Sequence, residues 1–91
     1  VDRVIAATAS RVYVTLDCDV LDPSVLPSTG TPEPGGLTWT QIDALMGRFC
    51  QAREVVGLDI SELAPIPSIH HPQFTIAKLL YRFLGYRFPP S

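Results

Sequence analysis

Long hydrophobic runs are missing from this chain of 91 residues. No uninterrupted apolar stretch approaches the ~20 residues that a membrane-spanning helix needs. Also missing is a charged amino-terminal region followed by an apolar core and a cleavage site, so the chain is expected to be cytoplasmic with no membrane partner. Basic charge is sparse: seven Lys and Arg stand against nine Asp and Glu, for a formal net charge of -2. Without a basic cluster, nucleic acid and anionic surfaces are not expected partners. The two cysteines, Cys18 and Cys50, form neither a disulfide framework nor a C-x-x-C spacing and read as reduced packing residues. Internal repeats and low-complexity segments are absent, and the acidic residues do not follow the spacing of a calcium-binding helix-loop-helix.

What is abundant is apolar character, at 46% of residues with positive mean hydropathy. A chain this short buries only roughly two-thirds of its surface. It is therefore at most one domain, and some of its apolar surface is expected to be covered by residues outside this sequence. Val1 is not a methionine and Val1 to Ala7 reads as the end of a helix, so an upstream portion is expected. The run Arg11 to Leu16 is short, β-branched and aromatic, and predicts a buried strand. Trp39, Ile42, Leu45, Met46 and Phe49 recur at helical steps, with Thr38 and Gln41 at the cap and third positions of a capping box. Glu54 to Ile60 predicts a second buried strand. A loop from Ser61 to Pro72 leads to a final helix over about Gln73 to Gly85, with Phe74, Ala77, Leu80, Tyr81 and Leu84 on one face, and Pro89 to Ser91 reads as a frayed tail. The βαβα order implies an α/β fold with parallel strands, and both strand-to-helix loops should open on one rim at the carboxyl ends of the strands.

That rim carries the chemistry. Asp17 and Asp19 end the first strand, and period-two geometry would point both carboxylates the same way. Their apolar surroundings demand a compensating charge, Arg11 lies at the other end of the strand, and no lysine is near. A hard divalent cation is the simplest partner, against the plainer alternative of a turn or cap role. Asp22, before Pro23, reads as a structural residue that bonds loop amides. The segment Ser28 to Gly36 mixes rigid prolines with permissive glycines, a composition suited to holding one loop shape close to a ligand. Glu62, three residues past Asp59, should face the same pocket, so that Asp17, Asp19, Asp59 and Glu62 gather. A fixed carboxylate at Glu62 could grip a planar, multi-donor cation. His70 and His71 are adjacent, so their side chains diverge; they read as solvated loop residues, with a place at the substrate rim as the lesser alternative.

Three stretches together resemble the carboxy-terminal part of the ureohydrolases, the arginase and agmatinase family. Thr15 to Pro23 is similar to the family's S-x-D-x-D-x-x-D-P signature. Pro27 to Pro32 and Gly35-Gly36-Leu37 are similar to its P-x-T-G-T-P and G-G-L loop, and Gly57 to Pro65 to its G-x-D-x-x-E-x-x-P strand and loop. The resemblance implies a three-layer, parallel-sheet α/β fold of which residues 1–91 are a carboxy-terminal βαβα portion of one domain. It implies a manganese-dependent hydrolase of guanidino compounds, with two ions in the complete enzyme and a trimeric or hexameric parent. Asp17 would bridge both ions, Asp19 would bind one, Glu62 would hold the substrate guanidinium and Thr31 would line that pocket. Hydroxide bridging the metals would attack the guanidino carbon, and the adduct would collapse to urea and an amine.

Two residues depart mildly from the pattern: Thr15 stands for the usual serine, keeping the hydroxyl, and Val20 stands where many members have glycine. The family's remaining ligands, in a G-G-D-H and a D-A-H-x-D stretch, are not in these residues. No catalytic residue is therefore assigned, and the chain alone is expected to be inactive. Glu33 and Gly35-Gly36 tilt the expected substrate toward agmatine rather than arginine. The alternative is a non-catalytic metal-binding or oligomerisation module derived from the family.

Overall fold

The computed structural model describes residues 2–90. In order, it contains helix α1 (Asp2–Ala6), strand β1 (Arg11–Asp17), one 3-10 turn (Cys18–Val20), helix α2 (Trp39–Ala52), strand β2 (Glu54–Ser61) and helix α3 (His71–Arg87). The helix expected at the amino terminus is present as α1, and Val1 lies outside the described residues, as does Ser91 of the expected tail. β1 and β2 pair in parallel, from Arg11 opposite Glu54 to Asp17 opposite Ser61, with one irregularity between Val12 and Tyr13. The chain is thus an α/β unit with the expected parallel pairing.

Local chemistry explains where α2 begins. The Thr38 hydroxyl accepts from the Gln41 amide at 3.2 Å while the Gln41 side chain accepts from the Thr38 amide at 2.9 Å, so two otherwise unpaired donors are satisfied reciprocally. α3 opens with Pro72 in its first turn, where a missing amide proton costs nothing.

One face of the sheet builds the core. Leu16 and Val55 are buried with Ile42 and Met46 of α2 and Ile76, Leu79 and Phe83 of α3, and Val12, Val14, Leu58 and Ile60 pack against them. The two helices are also clamped by polar groups. Arg82 donates to both oxygens of Asp43 at 2.7 and 2.8 Å, and the Tyr86 hydroxyl donates to the same carboxylate at 2.9 Å.

Two expectations need correction here. Neither strand is buried on both sides: Tyr13, Thr15, Val56 and Asp59 are exposed, because α2 and α3 cover only the other face. The buried stripe of α3 is Pro72, Ile76, Leu79 and Phe83, whereas Phe74, Leu80, Tyr81 and Leu84 of the expected face are exposed. None of the described helices is long and apolar enough to cross a membrane.

Candidate functional site

β1 stops at Asp17 because the Asp17 side chain turns back on its own backbone. Its Oδ1 accepts from the Asp19 amide at 3.0 Å, which caps the 3-10 turn. Asp19 therefore lies in that turn, and period-two geometry does not relate the two carboxylates; the cap keeps them adjacent instead. The cap role weighed against a metal role is present at Asp17. The two roles are compatible, since one accepted hydrogen bond uses only part of a carboxylate's roughly four lone-pair sites. Both aspartates are half-buried.

The loop after the turn is pinned at both ends. The Leu37 amide donates to the Val20 carbonyl at 2.8 Å and the Asp22 amide to the Leu37 carbonyl at 2.9 Å. The Asp22 carboxylate accepts from the Ser24 hydroxyl, the Ser24 amide at 2.9 Å and the Gly35 amide at 3.0 Å. These bonds, that from the Ser24 hydroxyl foremost, hold its pKa below the ordinary carboxylate value. Asp22 thus has the structural role its sequence context implies. Across the loop, the Ala64 amide donates to the Ser28 carbonyl at 2.7 Å and ties the two strand-end loops together. The Ser28 and Thr29 side chains are buried between them, and their hydroxyls have no hydrogen-bond partner among the described residues.

So constrained, the loop delivers Thr31 to Asp19, where its hydroxyl donates to Oδ2 at 2.7 Å. This contact was not legible in the sequence, which places Thr31 in the pocket without saying what it touches. A Thr one residue before Pro32, in a loop braced at both ends, is the only signal that could have suggested it.

Glu62 is exposed and sits in the left-handed backbone region with φ of 67°. For a non-glycine residue such backbone costs on the order of 1–3 kcal/mol and persists where the surroundings enforce it. The charges of Asp17, Asp19 and Glu62 converge on Cys18. Its thiol is fully buried, and its pKa is pushed up by burial first and by those three carboxylates second.

Asp59 does not join them as expected. It lies opposite Thr15 in the sheet, accepting from the Tyr13 hydroxyl at 3.0 Å and from the Thr15 hydroxyl at 3.4 Å. Cross-strand hydroxyls thus anchor it short of the rim. The bond to Asp59 also raises the Tyr13 pKa. His70 and His71 are exposed at the start of α3, and the His70 side chain makes no capping bond.

An apolar groove of about 700 Å³ runs along β1 and α2, lined by Val12, Val14, Leu16, Ile42 and Phe49, with Asp17 at its margin. Its lining offers little to a polar cation, so the carboxylate rim is the candidate site. Two adjacent carboxylates suit a hard divalent ion by donor chemistry and could supply part of its shell. Among the described residues no group of three or more His, Cys, Asp or Glu is arranged to hold an ion, so the two carboxylates do not by themselves make a complete site.

Comparison with known proteins agrees with this fold. The N(1)-aminopropylagmatine ureohydrolase of Thermus thermophilus is 44% identical over 84 residues, which are 92% of this chain and 28% of that protein. The agmatine ureohydrolase of Thermoplasma volcanium superposes with a TM-score of 0.80 at 36% identity, over 94% of this chain and 30% of that one. The proclavaminate amidino hydrolase of Streptomyces clavuligerus gives 0.79 at 32% identity, over 96% of this chain and 30% of that one. The chain thus spans a little over a quarter of the length of the relatives it matches. Residues 1–85 match the profile of the arginase family. The chain therefore belongs to the arginase family.

Proposed function

We propose that these residues supply the carboxy-terminal part of a single-domain, manganese-dependent ureohydrolase that cleaves a linear guanidino amine. Agmatine or an agmatine derivative is favoured over arginine. The observation that carries this reading is the pair Asp17 and Asp19 at the end of β1, with Asp17 capping the turn that holds Asp19 and Thr31 bound to Asp19. The identity to an aminopropylagmatine ureohydrolase supports the substrate class. The parent is proposed to be cytoplasmic and a trimer or hexamer.

In this reading Asp17 and Asp19 hold the metal, which when bound lowers the pKa of water enough for it to act as a nucleophile near neutral pH. Glu62 accepts guanidinium N–H groups in bidentate fashion and holds the cation planar beside the aspartates. The Asp17 cap keeps the rim preorganised, so binding does not have to order it. Water adds its oxygen to the guanidino carbon, the bond from that carbon to the chain nitrogen breaks, and the departing amine takes up a proton. The products are urea and an alkylammonium. The rest of the ligand set is proposed to lie outside these residues, which leaves this chain inactive alone.

The test is manganese binding by calorimetry on the 91-residue chain and on Asp17→Ala, with urea release from agmatine and arginine assayed in the same samples. Weak binding that Asp17→Ala abolishes, with no urea, is the expected result. Binding indifferent to Asp17→Ala overturns the metal assignment. Two tightly bound ions with urea released overturn the partial-site reading.

A further inference from the structure

We infer that the outward face of α3 is a two-fold interface on which a second copy of this chain docks, helix against helix and antiparallel. The inference is independent of the metal and substrate assignments.

α3 is apolar on two sides. Pro72, Ile76, Leu79 and Phe83 are buried in the core. On the other side Phe74, Tyr81, Leu84 and Phe88 are 71%, 79%, 52% and 66% exposed, with exposed Ala77 among them. Single exposed apolar residues are ordinary, but five in one stripe with three aromatic rings are not. From Phe74 to Phe88 the stripe advances by three, four, three and four residues. That is the spacing of a seam shared by two helices. Two such repeats would not hold an isolated helix pair, but the core already keeps α3 folded, so pairing need not offset the cost of forming the helix.

The composition of the seam points to a second copy as the occupant. Each repeat opens on an aromatic residue, Phe74, Tyr81 and Phe88, and carries an aliphatic one at its fourth place, Ala77 and Leu84. A parallel copy would set ring on ring and leave Ala77 facing Ala77. An antiparallel copy sets first places against fourth, so each ring meets a smaller side chain and the seam fills evenly. Phe88 caps the helix, so the register that uses helical residues alone pairs Phe74 with Leu84 and Ala77 with Tyr81. The stripe is thus complementary to itself turned end over end, which is the condition for a closed two-fold contact. Charge offers little opposition: α3 has no acidic residue, Arg87 is turned to the Val55 carbonyl and Glu54, and the long stem of Lys78 can carry its ammonium out to water. A fully covered Phe or Tyr buries about 150–250 Å², so at the exposures seen the three rings would remove about 650–1,100 Å² over two copies. With Leu84 and Ala77 added, the contact reaches the ~1,000 Å² that a specific interface needs.

Sedimentation velocity of the 91-residue chain over a range of concentrations reads the equilibrium between monomer and dimer, with circular dichroism reporting folding. The parent is measured beside Tyr81→Glu, Phe74→Ser and Val20→Lys. Tyr81 and Phe74 are exposed, so their variants should fold, and Val20 lines the apolar groove along β1 and α2, so its variant reports association through that groove instead. The parent is expected to dimerise in the micromolar range, as small interfaces can. A buried interface aromatic lost from each copy costs about tenfold, and the change occurs twice at the axis, so Tyr81→Glu should raise the dissociation constant about a hundredfold. Phe74→Ser should weaken the dimer in the same direction and Val20→Lys should leave it unchanged. Adding Ala77→Lys to Tyr81→Glu sets a lysine opposite each glutamate in the antiparallel register and should recover part of the loss; no recovery overturns that arrangement. A parent that stays monomeric throughout the micromolar range overturns the inference, as does a trimer. A dimer that Val20→Lys dissociates while Tyr81→Glu leaves it intact also overturns it.

Discussion

Replacing Gly36 by alanine should destabilise the chain sharply, and the size of the effect follows from what surrounds it. A Cβ at Gly36 would lie 2.7 Å from the Val20 carbonyl oxygen, 2.7 Å from the Asp22 amide nitrogen and 2.8 Å from the Leu21 carbonyl carbon. All three are backbone atoms, and the same backbone is held by the bonds from Leu37 to Val20 and from Asp22 to Leu37. No rotamer change relieves the clash; the loop itself must move. Overpacking ordinarily costs about 1–3 kcal/mol, and an obstruction made of hydrogen-bonded backbone belongs at the top of that range. Taking about 3 kcal/mol, at about 4–8 °C per kcal/mol for a domain of this size, the melting temperature should fall by about 12–24 °C. Gly30, in the same loop, is the control: a Cβ there meets nothing within 4 Å and its φ lies outside the left-handed region. Gly30→Ala should be neutral or stabilise by up to about 1 kcal/mol through the unfolded chain. Thermal melts by circular dichroism on the parent and both variants decide the matter. A Gly36→Ala protein that melts with the parent, or a Gly30→Ala protein that falls equally far, would refute the argument from close approach.

The core gives a second prediction: Leu21→Ala, at a fully buried position, should cost about 2–5 kcal/mol in urea unfolding, and a smaller loss would show that the site collapses around the cavity. Hydrogen bonds from Arg82 hold the Asp43 pKa below its ordinary value, so the clamp stabilises the fold above about pH 4, where Asp is ionised in the unfolded chain, and is lost as pH falls toward the lower folded value. The pair is partly exposed and worth about 0.5–1 kcal/mol; Asp43→Asn should flatten the acid-side decline of the urea midpoint, and parallel declines would count against the clamp. Asp59→Asn removes the charge that holds the Tyr13 proton, so Tyr13 should titrate at lower pH than in the parent by carbon-13 NMR, and an unchanged midpoint would disconnect the two.

Elements whose signals are local were legible in the sequence. The α2 start follows from Thr38 and Gln41 alone, and both strands run over the β-branched segments that predict them. The face of α3 was not legible, because that helix is apolar on two sides. Phe74, Tyr81 and Leu84 form one stripe, and Ile76, Leu79 and Phe83 form another. Hydrophobic period cannot choose between two stripes of equal spacing; contacts from elsewhere must. Here the deciding groups are polar. Asp43 on α2 takes Arg82 and Tyr86 of α3, which rotates the second stripe into the core and leaves the first exposed. An acid on one helix and a basic and a phenolic residue four apart on the next were the cue available, and hydropathy alone passes over it.

The rim shows the same division between residue chemistry, which sequence carries, and atomic pairing, which it does not. The expected period-two alignment of the two aspartates presumed that the strand continues through both. Asp17 ends the strand by capping the turn that contains Asp19. The two carboxylates are therefore related by a backbone hydrogen bond, a tighter constraint than a shared sheet face. Asp59 was drawn into the expected cluster by its place at the expected end of the second strand, yet Tyr13 and Thr15, distant in sequence but adjacent across the sheet, bind it first. Spacing along one strand says which residues end near the rim; cross-strand partners decide which of them stay free to act there. By that criterion Asp17 and Asp19 stay at the rim, with Thr31 bound to Asp19.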